Sequence, residues 1–242
     1  MHQFGDINNQ GFYLFDRDLI RNKVWAGLPL AAKTVLPAIG CHCDRAGVAF
    51  PSELTLAILC GMTPKSVRAG IRALQAVPGF AITSFVNSRG KRALRYRVPP
   101  TPQKKGRAFA FHRALLDGGH WLVASDAAKA LYLTMRHFGF YNHEEAMGDE
   151  TAETDSLDSY QQRTFESCEA DVGVLADASG LSRQAVYSAL DARQEHSLVS
   201  AHLVVRLDAA SWRVMLKPQR IFKREWLNEV VQKRYKAEWR SV

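Results

Sequence analysis

The chain has 242 residues, 47% of them apolar, with a net charge of +8 and a pI near 9.5. That is ample material for packed cores in one or two domains, and the positive balance favours a polyanionic partner. Four cysteines, two of them in Cys41-His42-Cys43, do not make a secreted disulfide framework, and no apolar run is long enough to span a bilayer, so a cytoplasmic protein is expected.

Gly11 to Ile20 mixes aromatic and aliphatic residues and reads as a short strand or packed segment, then a helical turn. Leu30 to Cys43 reads as a helix, which Pro37 should kink or tighten. Asp44-Arg45-Ala46-Gly47 is a turn, and Val48-Ala49-Phe50 suits a short strand. Pro51 to Leu74 reads as two helices about a tight turn. Ser52 is placed to cap the first, Gly61 to end it in the left-handed conformation, and Thr63-Pro64 to start the second. Val67, Ile71 and Leu74 then point inward, leaving Lys65, Ser66, Arg68 and Arg72 towards solvent. Phe80–Val86 and Arg92–Val98 read as two strands about a turn carrying Arg89, Lys91 and Arg92. Helices followed by a two-stranded hairpin make a winged helix, whose second helix suits a major groove and whose wing suits phosphates or a minor groove.

Pro99 to Arg107 is proline-rich and basic, as a linker would be. The next stretch echoes the first. Phe15, Arg17, Leu19, Ile20, Trp25 and Ala31-Ala32-Lys33 recur 96 residues later as Phe111, Arg113, Leu115, Leu116, Trp121 and Ala127-Ala128-Lys129. Leu56, Gly61, Thr63, Val67 and Ile71 recur at an offset of 119 as Leu175, Gly180, Ser182, Val186 and Leu190. Two matches in the same order point to a duplicated domain with 23 residues inserted in its second copy.

The insertion falls within about 144–171, which holds ten acidic residues and one basic one. It reads as a solvated loop, with DNA mimicry as the alternative. The second reading helix presents Arg183, Gln184, Tyr187 and Ser188, and a second hairpin is expected from Leu198–Arg206 and Ser211–Leu216. The tail, 218–242, reads as a basic amphipathic helix. Residues 1–99 carry +8, whereas 172–217 carry only +1, so the first copy should grip DNA more strongly. The second copy either reads bases with less phosphate support or binds protein.

Arg17 and Arg113 recur before a Leu pair and suit either phosphate contact or an internal ion pair. Cys41, Cys43, Cys60 and His42 match no common zinc spacing and are expected as buried thiols, with no metal or cofactor. His112, His120, His137 and His143 suit core edges, and no catalytic constellation stands out.

Leu30 to Leu74, with Arg45-Ala46-Gly47, Phe50-Pro51-Ser52, Gly61-Met62-Thr63 and Val67, resembles the helix–turn–helix domains of plasmid and phage replication proteins. The tandem layout resembles plasmid replication initiators of the RepA/RepE type. That resemblance implies binding to repeated origin sequences, a homodimer through one winged helix, and recruitment of host replication proteins.

The expected fold is mainly α with small β-wings (α+β): a winged-helix domain over 1–99, a linker over 100–108, a second winged-helix domain over 109–217, and the tail helix. The expected function is sequence-specific double-stranded DNA binding without catalysis, in replication initiation for a plasmid or other mobile element. The alternatives are a transcriptional repressor and a protein-interaction module of a replication or segregation complex.

Overall fold

A computed structural model describes residues 11–88, 90–99, 107–140, 165–218 and residue 229. Strand β1 (Phe12–Asp16) is followed by short helices α1 (Asp18–Arg21) and α2 (Val24–Gly27), then by α3 (Leu30–Gly40). Helix α3 runs unbroken through Pro37 and is buried from Ala32 to Gly40. Next come β2 (Val48–Ala49), α4 (Glu53–Cys60), α5 (Pro64–Ala73), β3 (Ala81–Val86) and β4 (Arg92–Arg97), with the strands paired in the order β2-β4-β3.

The same succession recurs in β5 (Ala108–His112), α6 (Ala114–Asp117), α7 (His120–Val123), α8 (Asp126–Phe138), β6 (Phe165–Cys168), α9 (Val172–Ser179), α10 (Arg183–Leu190), β7 (Val204–Arg206) and β8 (Trp212–Met215). The second sheet has the order β6-β8-β7. The chain is therefore α+β, with helices around small antiparallel sheets.

The halves do not lie as beads on a linker. Strands β1 and β5 pair antiparallel, and Leu14 stands directly opposite Ala110, its own counterpart 96 residues on. Tyr13 opposite Phe111 and Phe15 opposite Phe109 are exchanged by the same operation, so a pseudo-two-fold axis passes through the Leu14–Ala110 pair. The ribbon ends obey it too: Arg17 N–H donates to the Arg107 carbonyl at 2.9 Å, and Arg113 N–H to the Gly11 carbonyl at 2.8 Å. Phe15, Trp25, Phe109, Phe111 and Trp121 are sealed between the halves in one continuous apolar core. Helices α3 and α8 pack together across the axis.

Three expectations need correction. The acidic stretch is not loop through residue 171: Phe165–Cys168 is strand β6, and Glu166 is buried in an ion pair with Arg136. Any insertion therefore ends before residue 165. In the second hairpin only Val204–Arg206 forms the first strand. Leu198 instead bonds back to the Ala189 carbonyl at 2.7 Å, and Leu203 to Leu198, so this apolar run packs as turns. Arg107 and Ala108, placed in the linker, belong to the folded body, where Arg107 pairs with Asp18. The rest of the linker, residues 141–164 with His143, and the tail helix apart from Pro218 and Glu229 lie outside the described residues.

Candidate nucleic-acid interface

The first helix pair is built by local chemistry. The Ser52 hydroxyl accepts from Thr55 N–H and caps α4; Gly61 ends it at φ 65°, where a side chain would be strained. Thr63 accepts from Ser66 N–H and caps α5, with Pro64 in the first turn. Helix α5 buries Val67, Gly70 and Ile71. Gly70 has a steric role: a Cβ there would lie 2.6 Å from the Ala31 carbonyl oxygen, so α5 sits unusually close to α3. The opposite face of α5 exposes Lys65, Arg68 and Arg72. Arg68 is held by Glu53 at 2.8 Å. Ser66 is half-buried, and its hydroxyl lies 2.9 Å from the Thr63 hydroxyl, within the cap.

The β3–β4 turn is closed by Asn87, whose side chain accepts from Lys91 N–H at 3.0 Å, and by Gly90 at φ 71°. Lys91 and Arg92 are exposed at its end; Arg89 lies outside the described residues.

The second pair uses the same devices 119 residues later. Asp171 caps α9, Gly180 ends it at φ 70°, and Ser182 caps α10. Helix α10 buries Val186, Ala189 and Leu190 and exposes Arg183, Gln184, Tyr187 and Ser188, with Tyr187 57% exposed. The exposed chemistry differs between the pairs. Lys65, Arg68 and Arg72 in α5 correspond to Gln184, Tyr187 and Asp191. Asp191 is paired with Arg193, whose hydrogen bonds hold its carboxyl below the ordinary carboxylate range. A cleft of about 660 Å³ opens between α10 and the β7–β8 hairpin, lined by Arg183, Tyr187, Arg206 and Trp212 with Asp171 at its side.

Arg17 and Arg113 part company. Arg17 donates to the His137 carbonyl and lies 5.5 Å from the Phe109 ring centre, whereas Arg113 is paired with Asp117 on the surface at 3.4 Å. Cys41, Cys43 and Cys60 are buried, and burial pushes the Cys43 and Cys60 thiols up to about 12. Among the described residues no group of three or more His, Cys, Asp or Glu is arranged to hold a metal, and no helix is long and apolar enough to cross a membrane. His112 and His120 are buried, and His137 is half-buried.

One basic surface escaped sequence reading. The outward face of the β2-β4-β3 sheet carries Phe50, Thr83, Phe85, Arg95 and Arg97. The alternation of Arg95 and Arg97 with Leu94 and Tyr96 was its only signal. Compared with protein families, curated proteins and solved structures, the chain matches none.

Proposed function

We propose that this chain is a sequence-specific double-stranded DNA-binding protein that carries two winged-helix readers on one polypeptide. One observation carries the reading: two capped helices, α5 and α10, each followed by a hairpin, hold equivalent places in two halves whose first strands pair about a two-fold axis. Dyad-related helices of this kind suit successive major grooves on one face of a duplex. The first reader supplies Lys65, Arg68, Arg72, Lys91 and Arg92 for phosphates and guanine edges. The second supplies Arg183, Gln184, Tyr187 and Ser188 with weaker phosphate support.

Replication initiation for a mobile element is the role that the resemblance over Leu30 to Leu74 supports. Host replication proteins and a second copy of the chain are the partners proposed with it.

Selection on random duplexes followed by footprinting tests the reading. Protection should cover two half-sites about one helical turn apart. A single short footprint would overturn the two-reader arrangement. Clustered repeats beside an AT-rich segment at the natural site fit an initiator, whereas a lone palindrome over a promoter fits a repressor.

A further inference from the structure

The face of the first sheet turned away from the core has the composition of a platform for unpaired bases. Strand register sets its residues: Phe85 stands opposite Ala93, Thr83 opposite Arg95, and Ala81 opposite Arg97. These side chains share the outer face, while Ile82, Leu94 and Tyr96 pack towards the core. Phe50, just beyond β2, folds onto the same side, its ring centre 5.6 Å from that of Phe85 at 77°. Phe50 is 55% exposed, a large aromatic surface left in water. Arg95 is steadied by donating to the Thr83 hydroxyl at 3.1 Å, and Arg97 is exposed two residues along.

Charge complementarity selects the occupant. The face carries Arg95 and Arg97, and residues 81–98 contain no Asp or Glu to pair with them. A purely apolar partner would leave these guanidinium groups desolvated and unpaired. A polynucleotide strand satisfies both features, phosphates meeting the arginines and bases stacking on the rings. Duplex DNA satisfies only the first, because its bases are already stacked.

We propose that this sheet face binds single-stranded DNA. The choice of DNA over RNA rests on the duplex-binding reading of the adjacent α5 face; the strand chemistry itself does not.

The test uses the full chain, a fluorescein-labelled 20-mer of dT, and a mixed-sequence duplex, read by fluorescence anisotropy at low salt. The unmodified protein should bind the dT strand. The double variant Phe50→Ala, Phe85→Ala should bind it at least tenfold more weakly, with duplex affinity changed less than twofold. Arg95→Ala with Arg97→Ala should flatten the salt dependence of strand binding. A Phe50→Trp variant gives a second readout: its added fluorescence should be quenched by the dT strand. No strand binding by the unmodified protein, an unchanged affinity in the double phenylalanine variant, or equal loss of strand and duplex binding would overturn the proposal. Equal binding of a U 20-mer would overturn the choice of DNA. Lys65→Ala with Arg68→Ala separates the two readings, since it should weaken the duplex and leave the strand unchanged. If the unmodified protein binds only the strand, the duplex reading fails and this one stands.

Discussion

Lys33 Nζ reaches across the internal two-fold axis to the Ser179 carbonyl at 2.7 Å, and its counterpart Lys129 reaches back to the Cys60 carbonyl at 2.6 Å. Ser179 and Cys60 are the last residues of α9 and α4, where helix carbonyls lack internal partners and carry partial negative charge. Each half thus anchors the other's helix pair through a buried lysine. Both lysines are about 1% exposed.

Replacing Lys33 with Met should strand the Ser179 carbonyl and cost roughly 1–3 kcal/mol in urea unfolding. Burial also pulls the Lys33 ammonium down from 10.5 to about 8. A folded-state value below the unfolded one means that the unfolded chain holds more protons between pH 8 and 10.5. The Lys33 contribution to stability therefore rises with pH across that window. Lys33→Met should lose that rise. A variant with the same slope as the unmodified protein would sink this account.

Gly180 tests the same contact from the other side. It has φ 70°, and a Cβ there would lie 2.1 Å from the Ala26 carbonyl oxygen, in α2 of the opposite half. Gly90 has φ 71° but nothing within 4 Å of such an atom. Gly90→Ala should cost about 1 kcal/mol from backbone strain alone, whereas Gly180→Ala must also push the halves apart and should cost clearly more. Equal thermal shifts would refute the contact.

Arg136 is fully buried, donating to Glu166 at 2.8 Å and to the Ala110 carbonyl, also at 2.8 Å, beside the axis. Glu166→Gln or Arg136→Met alone leaves a charge or its hydrogen bonds unmatched and should cost about 3–5 kcal/mol. The double change Arg136→Met, Glu166→Met should cost markedly less than the two single losses added. Additive losses in a double-mutant cycle would show that the pair does not act as a unit.

The helix pairs were legible because their signals are local. Ser52, Gly61, Thr63 and Pro64 each act on a neighbouring backbone group, and all four stand where their chemistry required. The dyad was not legible, since no local rule says that residue 14 faces residue 110. Glu166 reads as part of a solvated loop, and nothing local marks Lys33, Lys129 or Arg136 as buried: charged residues are assigned to water unless a partner is known, and the Ser179, Cys60 and Ala110 carbonyls and the Arg136–Glu166 pairing span 26 to 146 residues. The repetition of Ala-Ala-Lys at an offset of 96 was the one trace of the lysine pair. The Leu198 run was read as strand because apolar alternation does not distinguish a ladder from packed turns.

His112 should make the fold acid-sensitive. Burial, with Arg136 and Lys217 nearby, pulls its imidazole down to about 3. An unfolded histidine titrates near 6.5, so the unfolded chain takes up a proton first as pH falls. Stability from this group is complete above about pH 6.5 and drains away towards pH 3, with a loss on the order of 2 kcal/mol by pH 5. Urea midpoints at pH 7 and pH 5 should show the difference, and His112→Phe should shrink it. A His112→Phe chain as acid-sensitive as the original would reject the assignment.

The two proposed readers can be made alike. Lys65 and Arg68 on α5 correspond to Gln184 and Tyr187 on α10, both exposed and both clear of the buried face. Gln184→Lys with Tyr187→Arg should therefore leave folding intact while adding two cations to the second helix. If that helix lies in a major groove, each added phosphate contact steepens the dependence of log affinity on log salt by about 0.9, or about 1.8 for the pair. Non-specific duplex affinity should rise at low salt, and discrimination in the second half-site should change because Gln184 and Tyr187 are gone. Arg68→Ala should act in the opposite direction on the first half-site, which depends more on charge. Filter binding across a salt series measures both effects. A slope unmoved by the two added cations would place α10 away from the duplex and favour a protein partner for the second half.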